Sequence, residues 1–195
     1  MVKVVLAIAV ILLCGNPYLA HAQKRVEAGL FFDYLNLSQT QTNNFGLGGR
    51  FGYRVHRNVI LEGELAYDYG VNFDEAYRNI TSGNVTAIEQ TSIGVTEGLF
   101  GPKFQSSHGH FRLFGTLKGG FIDFRLSPSL IPYSSVVSAV LGIRDSNWNA
   151  ALYPGGGATA TLGPLGLRLE FGDLIYFNEG AHNNLRITFG PILRF

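Results

Sequence analysis

Apolar and polar residues alternate along eight segments of this chain, and the charged residues in them fall almost entirely on one of the two faces. A period of two residues is that of a β-strand, because successive side chains point to opposite sides of the pleat. In the first segment the two faces carry Val26, Ala28, Leu30, Phe32 and Tyr34 against Glu27, Gly29, Phe31 and Asp33. The pattern predicts an all-β fold in which one face of each strand excludes charge.

Seven further strands are expected from the same pattern, at about 45–55, 59–69, 93–104, 111–121, 148–162, 167–172 and 185–195. In the fourth strand, placing Glu97 and Lys103 on the polar face turns Pro102 outward. In the seventh strand, the alternation of inward and outward residues is expected to slip near Asp173, as at a β-bulge. The connections alternate between long and short, and the largest lie at roughly 71–92 and 125–147. This asymmetry is typical of an eight-stranded antiparallel up-and-down transmembrane β-barrel.

Either a soluble barrel, apolar inside, or a transmembrane barrel, apolar outside, would produce this alternation. The charged faces favour the second, because they also carry many glycines, and a narrow lumen needs glycines to make room for long side chains. An unpaired buried charge costs several kcal/mol. We therefore expect the inward charges to form a paired network that fills the lumen: Glu27, Asp33, Arg50, Arg54, Glu62, Glu64, Asp68, Glu97, Lys103, Arg112, Lys118, Arg168, Glu170, Arg186 and Arg194.

The first residues have the order of a secretory signal peptide. Lys3 precedes an apolar stretch from Val4 to Leu13, and the small-residue site Ala20-His21-Ala22 follows. The stretch is about half the roughly twenty residues that a membrane-spanning helix needs. We therefore expect residues 1–22 to be cleaved and residues 23–195 to form one barrel domain. Cys14 would leave with the cleaved segment, so no disulfide or thiolate chemistry is expected in the barrel.

Charge and histidine placement argue against several function classes. The 15 basic and 14 acidic residues become equal in number once Lys3 is removed, so no electrostatic footprint for nucleic acid is expected. The His108-Gly109-His110 pair has no nearby carboxylate to support a metal site. Asp173, Glu179 and His182 lie close together in sequence, but a serine would have to come from Ser134 or Ser135. We expect no catalytic, cofactor or metal site.

Two segments carry a resemblance to a known family: the glycine-rich stretch 147–157 and the closing stretch 184–195. With the strand pattern, they resemble the bacterial OmpA/OmpX-like outer-membrane β-barrels. The resemblance implies an outer-membrane location, lipid as the surrounding partner, and recognition of the last strand by the barrel-assembly machinery through Ile187, Phe189, Pro191, Leu193 and Phe195. We expect no peptidoglycan-binding domain of the kind that OmpA carries, because the barrel pattern runs to Phe195.

Three functions are compatible with the sequence. The first is a structural or surface-interaction barrel with a closed lumen, the second a narrow passive pore, and the third a lipid-modifying enzyme. The external loops at 71–92 and 125–147 are the candidate partner sites, because such loops vary freely on a rigid barrel. The segment 128–142 is unusually apolar for an exterior loop. It could fold as a short helix, dock a partner, extend the strands above the membrane, or pack against the loop at 71–92.

Overall fold

The computed structural model describes residues 25–106, 109–127, 136–138, 140, 141, 143 and 147–195. The expected signal peptide, His108, Ser134, Ser135 and most of the apolar loop lie outside these residues. Within the described part of the chain, no helix is long and apolar enough to cross a membrane.

Eight strands of the described residues close into one antiparallel barrel. They are β1 (Val26–Leu37), β2 (Thr42–His56), β3 (Val59–Asn79), β4 (Val85–Gln105), β5 (Phe111–Ser127), β7 (Trp148–Leu162), β8 (Leu165–Asp173) and β11 (Leu185–Arg194). Each pairs with the next in this order, and β11 pairs with β1, which closes the sheet. The expected all-β, eight-stranded fold is confirmed, and closure gives the backbone groups partners that lipid cannot supply.

Three short strands lie at the end of the barrel that carries the longer connections, which we call the external end. They are β6 (Val136–Ser138), β9 (Ile175–Phe177) and β10 (Ala181–His182). Strand β6 pairs with β3 at Tyr77–Asn79, and β9 continues β8 alongside β7. Part of the segment 125–147 therefore packs on the β3–β4 hairpin, which is one of the arrangements expected for it.

The outward face of the strands is an apolar belt. Large apolar side chains are exposed on all eight barrel strands, among them Leu30, Phe51, Leu65, Phe100, Leu117, Leu152, Phe171 and Phe189. Most charged residues on the opposite face are buried, including Glu97 and Lys103 of β4, while Pro102 between them faces outward. A surface that exposes large apolar side chains and buries charge is suited to hydrocarbon.

Above the charged part of the lumen, the inner face becomes apolar. On β1, Leu35 and Leu37 follow Asp33 on the same face, and both are buried. They belong to a cluster at the external end, which we call the apolar plug: Leu35, Leu37, Ile93, Val95, Ile122, Phe124, Ile143, Leu174 and Tyr176. At its external end, above the apolar belt, the barrel therefore has an apolar core like that of a soluble β-barrel.

The structure corrects two expectations about the strands. The stretch 71–92 is not an irregular loop: most of it is the outer part of one long hairpin, in which β3 and β4 remain paired as far as Arg78 and Val85. This part lies above the apolar belt, where neither face has to exclude charge. It therefore lacks the alternating pattern from which the other strands were predicted.

The predicted phase slip near Asp173 is wrong. The register of β7 with β8, which pairs Gly155 with Gly172, continues unchanged where β9 pairs Ile175 with Leu152. Asp173 is an outward polar residue at a strand end, and it accepts a hydrogen bond of 2.9 Å from the backbone N–H of Asn184. The register does shift in β3, between Asp68 and Val71.

Candidate functional site

The lumen is built around the ammonium group of Lys118. Its Nζ atom lies 3.0 Å from Glu62 Oε1, 2.9 Å from Glu64 Oε2 and 3.0 Å from Glu170 Oε1. These residues come from β5, β3 and β8, and the period of two along each strand turns all of them inward. The three carboxylates converge as they would around a metal ion, and Lys118 supplies the positive charge there.

Two arginines tie this centre to its surroundings. Arg168 lies 2.5 Å from both Glu62 Oε2 and Glu170 Oε2. Arg50 donates to Glu170 at 3.0 Å and to the Thr188 hydroxyl at 2.8 Å. Buried ion pairs are stable only when their remaining donors and acceptors are also satisfied, and these arginines satisfy several at once.

Further layers lie on either side of the centre. Toward the external end, Arg186 lies 2.6 Å from Asp33, 2.6 Å from Glu64 and 2.5 Å from Glu97. Toward the other end, Glu27 is approached by Lys103 at 2.7 Å, Arg54 at 3.2 Å and Arg194 at 2.9 Å. The salt bridges thus form a continuous buried network along the lumen.

Aromatic rings fill the space between the ion pairs. The Arg50 guanidinium lies 4.2 Å from the ring centre of Phe31, and that of Arg168 lies 4.2 Å from the ring centre of Phe114. The Tyr153 ring lies 5.4 Å from Lys118 Nζ and 5.2 Å from the Arg186 guanidinium. Such positions are those of cation–π contacts.

The inward position of these rings was not predicted, although the sequence contains a signal for two of them. Phe31 pairs across the sheet with Gly48, and Phe114 pairs with Gly157. A Cβ atom at Gly48 would overlap the Phe31 ring, and one at Gly157 would lie 2.8 Å from Phe114 Cζ. An inward aromatic residue opposite a glycine is therefore the pattern that marks a ring lying across the lumen.

Two of the fifteen predicted network residues stand apart from the salt bridges. Arg112 lies at the end of β5 away from the plug, where its Nε donates to Gly109 O at 3.2 Å, and among the described residues it makes no salt bridge. Its predicted pairing in the lumen is therefore wrong. Arg112 is on the inward-facing side of the strand, but it lies too close to the strand end to reach the buried carboxylates. Asp68 does face the lumen and is fully buried, but no described residue donates a hydrogen bond to it.

The external residues considered for catalysis do not assemble into a Ser-His-acid arrangement within the described part of the chain. His182 contacts Gln39 and stacks on the Tyr176 ring, with centroids 5.0 Å apart. Asp173 is engaged with Asn183 and Asn184 instead. The contact between His182 and Gln39 joins strand β10 to the turn between β1 and β2.

Solved structures resemble most of this chain at low sequence identity. Neisserial surface protein A is 10% identical, with a TM-score of 0.55, and the match covers 87% of this chain and 96% of that one. The N-terminal β-barrel domain of Pseudomonas aeruginosa OprF is 12% identical, with a TM-score of 0.50 and coverage of 89% and 98%.

A third match is Ail, the attachment invasion locus protein of Yersinia pestis, in complex with the heparin analogue sucrose octasulfate. It is 13% identical, with a TM-score of 0.50 and coverage of 88% and 97%. No family model and no curated protein sequence matches this chain. The charged lumen, the apolar belt and these likenesses agree: the chain has the fold of the eight-stranded transmembrane β-barrels of bacterial outer membranes.

Proposed function

We propose that this protein is an outer-membrane barrel with a closed lumen, whose function lies in surface interaction at its external end. The observation that carries the proposal is the filling of the inner face along its length. The layer around Glu27, the centre at Lys118, the layer around Arg186 and the apolar plug follow one another from one end to the other. Eight strands leave an interior that side chains can fill, so neither a solute path nor a substrate pocket is expected.

The outer part of the β3–β4 hairpin is the proposed partner site. Ile80, Val85 and Ile88 are exposed there, above the belt that lipid covers. Exposed apolar side chains in water favour contact with a partner. The exposed external charges alternate in sign along Asp74, Arg78, Glu89 and Arg125, which does not favour a polyanion such as the one bound by Ail. We therefore propose a protein partner held by apolar contact.

The route to the membrane is proposed from the two ends of the chain. Residues 1–22 would direct export and be removed. Ile187, Phe189 and Leu193 face outward on β11, and the backbone of Phe195 bonds to Val26 of β1 at 2.9 and 3.0 Å. These four residues therefore lie where the last strand meets the first, and we propose that the barrel-assembly machinery reads them there.

Shortening the hairpin tests the proposed partner site. An Asn-Gly turn in place of residues 78–86 would join Tyr77 to Ala87, which already face each other across the hairpin, and this dipeptide favours two-residue hairpin turns. We expect the shortened protein to reach the cell surface in the normal amount. Adhesion of the expressing cells to immobilised extracellular proteins should fall to the level of cells without the protein.

The matched control keeps the hairpin and replaces Ile80 and Ile88 by Ser. It should lose adhesion to the same extent, because the proposal assigns binding to these apolar side chains. Unchanged adhesion in both variants would contradict the proposal. Failure of the shortened chain to assemble, with normal assembly of the Ser variant, would instead make the hairpin part of the folding unit of the barrel.

A further inference from the structure

Three arginines gather around one carboxylate at the end of the barrel opposite the plug, which we call the turn end because tight turns join the strands there. Arg54 and Arg194 lie 3.2 and 2.9 Å from Glu27 Oε1, and Lys103 lies 2.7 Å from its other oxygen. The charges of Arg54 and Arg112 both act on the Arg194 guanidinium. The three arginines and Glu27 leave a formal charge of 3 − 1 = +2, to which Lys103 adds.

Arg194 has an unused donor inside this cluster. Its exposed fraction is 4%, and its Nη2 atom has no hydrogen-bond partner among the described residues. A guanidinium stays protonated in proteins, so this donor keeps its positive charge. A buried charged group is unfavourable unless an acceptor completes its hydrogen bonds. The cluster therefore lacks an acceptor beside Arg194.

Thr159 and Arg112 supply further donors on adjacent strands. They pair directly across β7 and β5, and side chains opposite each other in an antiparallel pair lie close together. Thr159 is 1% exposed, and its hydroxyl has no partner in the described part of the chain. Arg112 is partly exposed, and Gly109 O, 3.2 Å from its Nε, is the acceptor that the described residues offer it. A ligand that reaches Arg112 therefore also reaches the Thr159 hydroxyl.

The centre of the lumen neutralises its cations with carboxylates of the chain, since Lys118 lies within 3.0 Å of three of them. Among the described residues, the arginines of the turn end share the single side-chain carboxylate of Glu27. Two guanidinium groups and a hydroxyl match the several oxygens of a phosphate group. We propose that the turn end binds one anion of the phosphate class, held by Arg112 and Arg194 and by the Thr159 hydroxyl.

The position of the cluster indicates how the anion arrives. The short turns of outer-membrane barrels face the periplasm, and Arg25 and Arg57 are exposed at the same end. They extend the positive potential to the surface, which draws anions toward the cluster. A soluble phosphate compound of the periplasm and the headgroup of an anionic phospholipid carry the same group. Entry is from the solvent side of Arg112, so the centre and the apolar plug stay closed.

The test is heteronuclear NMR of the arginine side chains in maltoside micelles, which contain no phosphate. Inorganic phosphate is titrated at constant ionic strength, with chloride as the reference anion. The native chain should show saturable shifts at Arg112 and Arg194. Arg112→Gln should weaken the binding of phosphate at least about tenfold, because it removes a charged donor. Arg125→Gln, which removes an exposed arginine at the external end, should bind phosphate as the native chain does.

Stability gives a second measurement that separates binding from folding. Arg112 makes no salt bridge to a described residue, so Arg112→Gln should have the native urea midpoint without phosphate. Phosphate should raise the midpoint of the native chain and leave that of the variant unchanged. Shifts that are equal in phosphate and chloride, or equal phosphate binding by the native chain and Arg112→Gln, would overturn the proposal.

Nanodiscs that contain phosphatidylglycerol distinguish the two sources of the group. Shifts of Arg112 and Arg194 that already stand at their phosphate-bound positions, and do not respond to added phosphate, would support the proposal with a lipid headgroup as the ligand. A phosphate titration that is unchanged from the one in micelles would support it with a soluble anion as the ligand.

Discussion

Replacing Lys118 by Met is expected to lower the free energy of unfolding of the barrel by about 3–5 kcal/mol, the cost of leaving buried charges without their partner. Met keeps most of the side-chain length, so the lumen stays filled. The change removes the ammonium that lies within 3.0 Å of Glu62, Glu64 and Glu170. Urea titration of the purified protein in lipid vesicles, followed by the gel shift between folded and unfolded forms, measures the loss.

Two control variants separate the buried charge from charge in general. Arg125→Met removes an exposed cation whose Nε lies 3.6 Å from Asp123, and such surface pairs contribute about 0–1 kcal/mol. Adding Glu170→Gln to Lys118→Met removes one of the three carboxylates that lost the ammonium, which restores the charge balance of the centre. It should recover part of the loss, because the effects of contacting residues are not additive. If Lys118→Met were as mild as Arg125→Met, the central position of Lys118 in the network would be wrong.

A lysine on the outward face should be costly only where hydrocarbon surrounds the barrel. Leu117 lies near the middle of β5, with 50% of its surface exposed. Leu117→Lys is expected to cost about 2–4 kcal/mol, the range for lysine near the bilayer midplane. The same folding titration in vesicles measures it.

Leu162→Lys is the matched control for this prediction. Leu162 ends β7 at the tight turn and is even more exposed than Leu117. A lysine there reaches the interface, where the expected cost is about 0–1 kcal/mol. Equal costs at the two positions would mean that the outward face does not lie in hydrocarbon.

The barrel strands and the direction of their charges could be predicted from the sequence for a physical reason. Lipid excludes charge from one face, so the period of two remains visible along strands such as 165–173, where Arg168 and Glu170 both turn inward. Beyond the belt this constraint ends. Leu35 and Leu37 lie on the same face as Asp33, and water on the outside allows an apolar interior there.

Which inward charges form salt bridges could not be predicted from the sequence. A salt bridge needs two side chains that face the lumen and also lie at the same level along the barrel axis. Lys118 and Arg112 lie on the same face of β5, yet only Lys118 reaches the central carboxylates. Asp68 has the correct phase but lies one layer from the nearest lysine. The register between strands sets these heights, and the long-range pairing that fixes it is absent from the local pattern.

Conductance of the purified native protein in planar bilayers tests the closed lumen most directly. We expect little or no steady current at any salt concentration, because the salt-bridge network and the apolar plug occupy the path from end to end. Insertion is verified in the same preparation by the folded form on unheated gels. Stable single channels, with a conductance that rises with salt concentration, would contradict the closed lumen and favour a narrow passive pore.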